Sequence, residues 1–267
     1  MSAGALDFYV PGRSLLHRLD PRVKLFIIAA WGAVLFFWLS LALLIAALVA
    51  IHVALMASGY PKERLRTIWR AIAVLLALIV VIWPLFDRAG DVWFSLGPLD
   101  ITRQGVLRGV VNATRIAGIN FLFILWVGTT GPRELVHGFV RLGLPFRWGM
   151  ALTIGLRFIP TFAGTWATVS DAQQARGLVL QGWWFRKARL MSPIFVAALV
   201  SAFRSSEQLA MTLDSRGFGA SRRRTTFRDI AMQRADWVAL ALTVAVTGTL
   251  LWLSLARGVG RELLGLW

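Results

Sequence analysis

Two triplets, Ala175-Arg176-Gly177 and Ser215-Arg216-Gly217, repeat a small residue, an arginine and a glycine in the same order 40 residues apart. Each closes an amphipathic helical pattern. Read singly, each is a helix cap, because arginine is favoured by the dipole at a helix C-terminus and glycine is the common residue just past it. Read together, they offer more. An arginine presents five rigid donors to carboxylates and backbone carbonyls, a geometry lysine does not reproduce. Two such forks at the ends of two helices form a two-pronged plug for a partner with two equivalent grooves. The chemistry this pattern supports is docking.

Catalysis finds no candidates. A phosphate-cradling loop needs G-x-x-x-x-G-K-[ST], yet the only lysines are Lys24, Lys62 and Lys187, and none follows a glycine. There is no G-x-S-x-G element and no pair of acids inside an apolar stretch. His17, His52 and His137 have neither the mutual spacing nor the carboxylate neighbours of a metal site, and are read as packed or solvated. The chain has no cysteine, which excludes disulfides and thiolate chemistry. No enzyme activity, cofactor or metal is expected.

The elements that must position the arginines are built for a bilayer. Apolar residues make up 57% of the 267 and charged residues 16%, with mean hydropathy +0.66. Soluble domains carry about 45–50% and about 25% respectively. Stretches such as Leu25 to Leu39, Leu41 to Ala57 and Ala71 to Phe86 lack charge and any polar stripe. Their lengths approach the roughly 17–25 residues a bilayer requires. No apolar signal core precedes Leu25, so the mature spans must direct insertion. Asp20-Pro21 reads as a helix start. A hairpin is expected near Ser40, a single tilted helix from Leu25 to Ala57 being the alternative. Pro61 to Arg70 reads as a basic loop on the same side as the basic N-terminal segment, hence cytoplasmic. The third span leads to an acidic external loop with Asp87, Asp91 and a Gly97-Pro98 turn. A fourth, from about Val106 to Val127, carries Arg108 and Arg115 and should face protein. The last is Trp237 to Leu255. The thirteen tryptophans, Trp183-Trp184 and Trp267 among them, read as interfacial anchors.

Between Thr130 and Arg234 the pattern changes. Of the 29 basic residues, 15 lie from Arg133 to Arg234, against five acids. A short helix opens at Pro132 and closes at Gly143. A long helix runs from Arg147 to about Arg176, interrupted by a kink at Pro160. Another starts at Ser192-Pro193 and stops at Gly217. These helices look interfacial or cytosolic. The net charge of +16 reads as positive-inside bias and contact with anionic lipid, not nucleic-acid binding. The Arg222-Arg223-Arg224 run is read as a lipid-facing or solvated patch.

Leu16-His17-Arg18-Leu19-Asp20-Pro21-Arg22-x-Lys24 resembles the N-terminal signature of energy-coupling factor transporter T components. Gly155-Leu156-Arg157-Phe158-Ile159-Pro160-Thr161, followed by the two arginine triplets, resembles that family's coupling region. The matches keep their order from Leu16 to Phe227. The resemblance implies an all-α integral membrane protein with about five transmembrane helices and long amphipathic cytoplasmic coupling helices. It implies an N-terminal transmembrane region (1–130), a coupling region (131–235) and a C-terminal transmembrane helix and tail (236–267). Ala175, Arg176 and Gly177, with Ser215, Arg216 and Gly217, would dock into two cytosolic ATPases, with Pro160 as the coupling-helix hinge. A membrane S component would bind the solute, a vitamin such as biotin or a cobalt or nickel ion. The location implied is the bacterial inner membrane, with the N-terminus and coupling region cytoplasmic. The second reading is a conventional ATP-driven importer permease, because Asp171-Ala172-Gln173-x-x-x-Gly177 partly matches an E-A-A-x-x-x-G coupling loop. A lipid-modifying membrane enzyme and a nucleic-acid-binding membrane protein find less support.

Overall fold

The computed structural model of the chain describes residues 9–10, 12, 14–38, 40–86, 92–96, 99–178, 183–218 and 232–257. The expected Asp87, Asp91 and Gly97-Pro98 loop, the Arg222-Arg223-Arg224 run and Trp267 lie outside them. Chain contacts separate two units: Asp7–Gly143 with Ala231–Trp267, and Leu144–Ile230 with the first six residues.

The first unit begins with the short α1 (Leu15–Arg18) and α2 (Pro21–Phe37). Asp20 caps α2, its carboxylate accepting from the Arg22 N–H at 2.9 Å, with Pro21 at the first helical position. The helix breaks at Trp38, and α3 (Leu41–Ala57) starts after Ser40. That break favours two helices over one tilted span. Both pack on α5. α4 runs from Lys62 to Phe86, so the residues expected as a basic loop are its opening turns. Lysine, arginine and glutamate are good helix formers, and Glu63 suits the N-terminal dipole. Charge marked this segment as outside the hydrocarbon without making it irregular.

A two-stranded antiparallel ribbon, β1 (Val92–Leu96) and β2 (Leu99–Thr102), follows. It is a small exception to an otherwise helical fold. α5 (Arg103–Thr129) is the hub, packing against α2, α3 and α4. Leu35, Leu44, Leu55, Leu65, Val111 and Phe121 are buried in the core formed by these four helices. Gly109 lets the α4 backbone approach: a Cβ there would meet the Val80 carbonyl at 3.2 Å and Trp83 Cβ at 3.3 Å. α6 (Pro132–Arg141) and α9 (Arg234–Arg257) pack on α2.

Arg115 makes good the expectation that α5 faces protein. Its Nε donates to the Leu35 carbonyl at 3.1 Å, Nη2 to the Trp38 carbonyl at 2.8 Å and Nη1 to Asn112 Oδ1 at 2.8 Å. The end of α2 leaves carbonyls without helical partners, which hydrocarbon cannot satisfy. An arginine from the neighbouring helix supplies the donors. His52 is likewise a packing residue. One ring nitrogen contacts the Leu48 carbonyl at 2.8 Å, the other accepts from Trp69 Nε1 at 3.0 Å, and Phe121 lies against the ring.

The second unit holds α7 (Phe146–Ala175) and α8 (Trp184–Ser215). α7 runs unbroken through Pro160, correcting the expected interruption. Proline removes one i to i−4 bond, and the bonds on either side carry the helix across. α8 starts at Trp184, eight residues before the expected Ser192, and holds Pro193 in its interior. Among the described residues, four helices are long and apolar enough to cross a membrane: α4, α5, α8 and α9, with α3 a shorter apolar helix. The sequence places α8 as interfacial or cytosolic, yet by length and composition it too qualifies as a span. At 17 residues, about 25 Å, α2 lies at the short end of the roughly 17–25 residues a bilayer requires.

Candidate docking site at two helix ends

Both arginine triplets form the same structure. In the first, Ala175 ends α7, Arg176 is the C-cap and Gly177 adopts φ +90°. The Gly177 N–H donates to the Gln174 carbonyl at 2.9 Å, and the Leu178 N–H to the Gln173 carbonyl at 3.0 Å. In the second, Ser215 ends α8, Arg216 is the C-cap and Gly217 has φ +67°. Gly217 N–H donates to Asp214 at 2.9 Å and Phe218 N–H to Leu213 at 2.9 Å. The paired 6→1 and 5→2 bonds are a Schellman cap, and the left-handed glycine is what it requires.

A third helix shows what the cap does not require. α3 ends the same way, with Gly59 at φ +81°, its N–H donating to Met56 and the Tyr60 N–H to Leu55. Its C-cap, however, is Ser58, and Tyr60 turns into the core. Arginine at the C-cap is therefore a choice beyond cap geometry. Arg176 and Arg216 are both exposed, and neither has a carboxylate partner among the described residues. The caps hold the backbone rigidly while leaving the guanidinium forks unspent.

The two ends are well separated. The Phe146 and Phe218 rings lie 6.1 Å apart, so the last turns of α8 sit against the first turns of α7. There, a cavity of about 430 Å³ is lined from α7 by residues between Met150 and Thr161, Arg157 among them, and from α8 by Leu209, Leu213 and Arg216. Arg157 and Arg216 thus share one cavity. Arg176 lies 15 residues beyond Thr161, more than about 20 Å further along α7. Both helices expose apolar stripes at helical spacing: Trp148, Leu152 and Ile159 on α7; Phe195, Val196, Leu199, Val200 and Phe203 on α8. Pro160 and the flanking Gly155 and Gly164 are exposed, and a Cβ at either glycine would meet nothing. Asp171-Ala172-Gln173-x-x-x-Gly177 lies within the last turn and cap of α7, not in a loop between helices.

Sequence reasoning missed a buried polar junction in the first unit. Lys24, the last residue of the N-terminal signature, is buried. Its Nζ donates to the Thr129 carbonyl at 2.9 Å and the His17 carbonyl at 3.3 Å. Asp236, at the start of α9, is also buried; it accepts from the Asp20 N–H at 2.8 Å and the Gln233 N–H at 2.7 Å. His17 is tied in, its ring contacting Ser14 Oγ at 2.7 Å and the Val10 carbonyl at 2.9 Å. The N-terminal signature thus clamps the start of α2 to the end of α5 and the start of α9. The available signals were the i, i+4 spacing of Asp20 and Lys24 and a lone acid opening the last span.

Comparison with known proteins agrees with this architecture. The family model described as cobalt transport protein matches residues 12–227. The chain is 32% identical over 260 residues to the energy-coupling factor transporter transmembrane protein EcfT of Listeria innocua, covering 93% of this chain and 97% of the relative. It is 34% identical over 251 residues to the EcfT protein of Limosilactobacillus fermentum, covering 90% and 93%. For that of Thermosediminibacter oceani the identity is 32% over 247 residues, covering 88% and 92%.

Proposed function

Because the chain belongs to the cobalt transport protein family as the transmembrane T component of an energy-coupling factor transporter, we propose that α7 and α8 link ATP hydrolysis on two cytosolic ATPase subunits to solute uptake through a membrane S component. The observation that carries this reading is the pair of matching Schellman caps, each holding an exposed arginine that has no carboxylate partner among the described residues. Two ends more than about 20 Å apart suit two separate grooves, one on each ATPase.

In this mechanism Arg176 and Arg216 dock into the ATPases, with Ala175 and Ser215 small enough to let the groove close around each cap. ATP-driven closure of the ATPases moves the docked ends. The helices act as levers, each about 45 Å or more in length. Pro160 sets the course of α7 at a point where Gly155 and Gly164 leave the surface open. The exposed stripes of α7 and α8 form the apolar surface against which the S component moves. The coupling region, 131–235, and the N-terminus face the cytoplasm of a bacterial inner membrane, consistent with the 15 basic residues between Arg133 and Arg234. The solute is a vitamin or transition-metal ion, chosen by the S component.

The test is purification of the tagged complex, then uptake and ATPase assays in proteoliposomes. Arg176→Glu and Arg216→Glu are expected to leave insertion intact while abolishing uptake driven by ATP. Full uptake by the double variant would remove the docking role from both arginines. Absence of any ATPase among co-purifying subunits would remove the proposed function itself.

A further inference from the structure

The first turns of α8 carry charge of the wrong sign for their place. A helix N-terminus bears partial positive charge and favours acids over cations. α8 has no acid in its first turn, and Arg186, Lys187 and Arg189 stand there exposed. From Ala172 to Ser206 the sequence holds five basic residues and no acid. Nothing in this stretch offsets the charge.

Immediately before the cations come Trp183, Trp184 and Phe185, exposed to 72%, 59% and 56%. Their rings gather on one another rather than into a core: Trp184 stacks on Phe185, and Trp183 meets Phe185 edge-on at 5.1 Å. Rings with an apolar body and a polar N–H edge belong where hydrocarbon meets headgroups. Basic residues at that level are drawn to anionic lipid, about five-fold for each and roughly a hundred-fold for three. The apolar stripe from Phe195 to Phe203 continues along the same helix.

We infer that Trp183, Trp184 and Phe185, with Arg186, Lys187 and Arg189, form a binding surface for an anionic phospholipid leaflet. The rings seat at the headgroup boundary, and the cations bind phosphate diesters. Uniform positive charge over one helical turn matches a leaflet of many equivalent anions better than a single carboxylate on a protein. Lipid also relieves the conflict with the helix dipole. Anchored this way, the start of α8 takes its position from the membrane. The inference does not depend on where Arg176 and Arg216 dock.

The absence of cysteine permits a direct test. Ser192→Cys, at an exposed position one turn past Arg189, is labelled with an environment-sensitive fluorophore in the intact complex. The complex is placed in nanodiscs of phosphatidylcholine, with or without phosphatidylglycerol. The expected result is blue-shifted emission, quenched by headgroup nitroxides, only with phosphatidylglycerol. It should fade in about 1 M salt, where the screening length shrinks to about 3 Å. Replacing Arg186, Lys187 and Arg189 together by Gln should lower the ratio of bound to free label roughly a hundred-fold. Equal emission in both lipids overturns the inference. So does a shift in phosphatidylcholine that appears only when the ATPase subunits are present, which would make this surface a protein contact.

Discussion

Replacing Lys24 by methionine keeps the length of the side chain and removes its charge and donors. Lys24, Asp20 and Asp236 are 4%, 3% and 2% exposed, so bulk water does not reach them. The Thr129 carbonyl, at 2.9 Å, and the His17 carbonyl, at 3.3 Å, lose their donor. Hydrogen bonds involving a charged group contribute about 1.5–3 kcal/mol each, the longer one less. Glu134, Asp20 and Asp236 also lose a cation near enough to interact with them, and breaking a buried charge cluster on one side costs up to about 3–5 kcal/mol. These overlap, so about 4 kcal/mol is expected in total, a fall in Tm of roughly 10 °C for a chain of this size. The assay is thermal unfolding of the purified chain in nanodiscs, followed by tryptophan fluorescence. Arg22→Met is the control: its Nε is 3.9 Å from Asp20 on a partly exposed side chain, an interaction worth at most about 1 kcal/mol. Asp236→Ala should interact with Lys24→Met by at least about 1 kcal/mol, since both act on one network. A Lys24→Met protein melting within about 2 °C of the parent, or strict additivity with Asp236→Ala, would refute the reasoning.

Three other outcomes follow from local geometry. Gly109→Ala should cost about 1–3 kcal/mol in the same melt, because the new methyl meets the Val80 backbone at 3.2–3.3 Å. Gly118→Ala should be milder, as it meets only Leu35 methyls from 3.4 Å. Gly177→Ala and Gly217→Ala, at φ +90° and +67°, should each weaken a cap by about 1 kcal/mol, so that the Leu178 and Phe218 amides exchange with solvent roughly five-fold faster. Finally, burial raises the Tyr60 hydroxyl above its usual pKa of 10.0, with Arg64 opposing. The folded state therefore holds that proton where the unfolded state has lost it, and stability falls as pH rises above about 10. Tyr60→Phe should flatten that fall in melts taken between about pH 9 and 11.

Features written in local sequence were the most legible. The Asp20-Pro21 start, the break near Ser40 and the two small-Arg-Gly caps each rest on a few adjacent residues, and each is found where those residues place it. Composition likewise marked α4, α5 and α9 as membrane helices. Errors arose where one local signal was asked to settle structure alone. The charge of Pro61 to Arg70 reads as a loop, although from Lys62 onward those residues favour helix once Glu63 meets the dipole. Pro160 reads as a kinked interruption and Pro193 as a start, although a long helix tolerates one missing hydrogen bond. The Lys24 junction was hidden for a different reason. Its partners, Thr129 and Asp236, lie 105 and 212 positions further along the chain, and only packing brings them together. Arg115 was half-visible: a cation in an apolar span had to face protein, but its task of capping α2 follows only from where α2 ends.

The buried junction joins residues that precede and follow the segment 144–230 in the chain. Thr129 lies just before the passage through α6 to Leu144, and Asp236 just after the return at Ala231. Every hydrogen bond of the knot is made by residues outside 144–230. The segment between is thus a cassette held by its flanks, with seams after Gly143 and before Met232 that cut none of those bonds. A relative's segment can then be grafted at those two seams with every hydrogen bond of the junction kept.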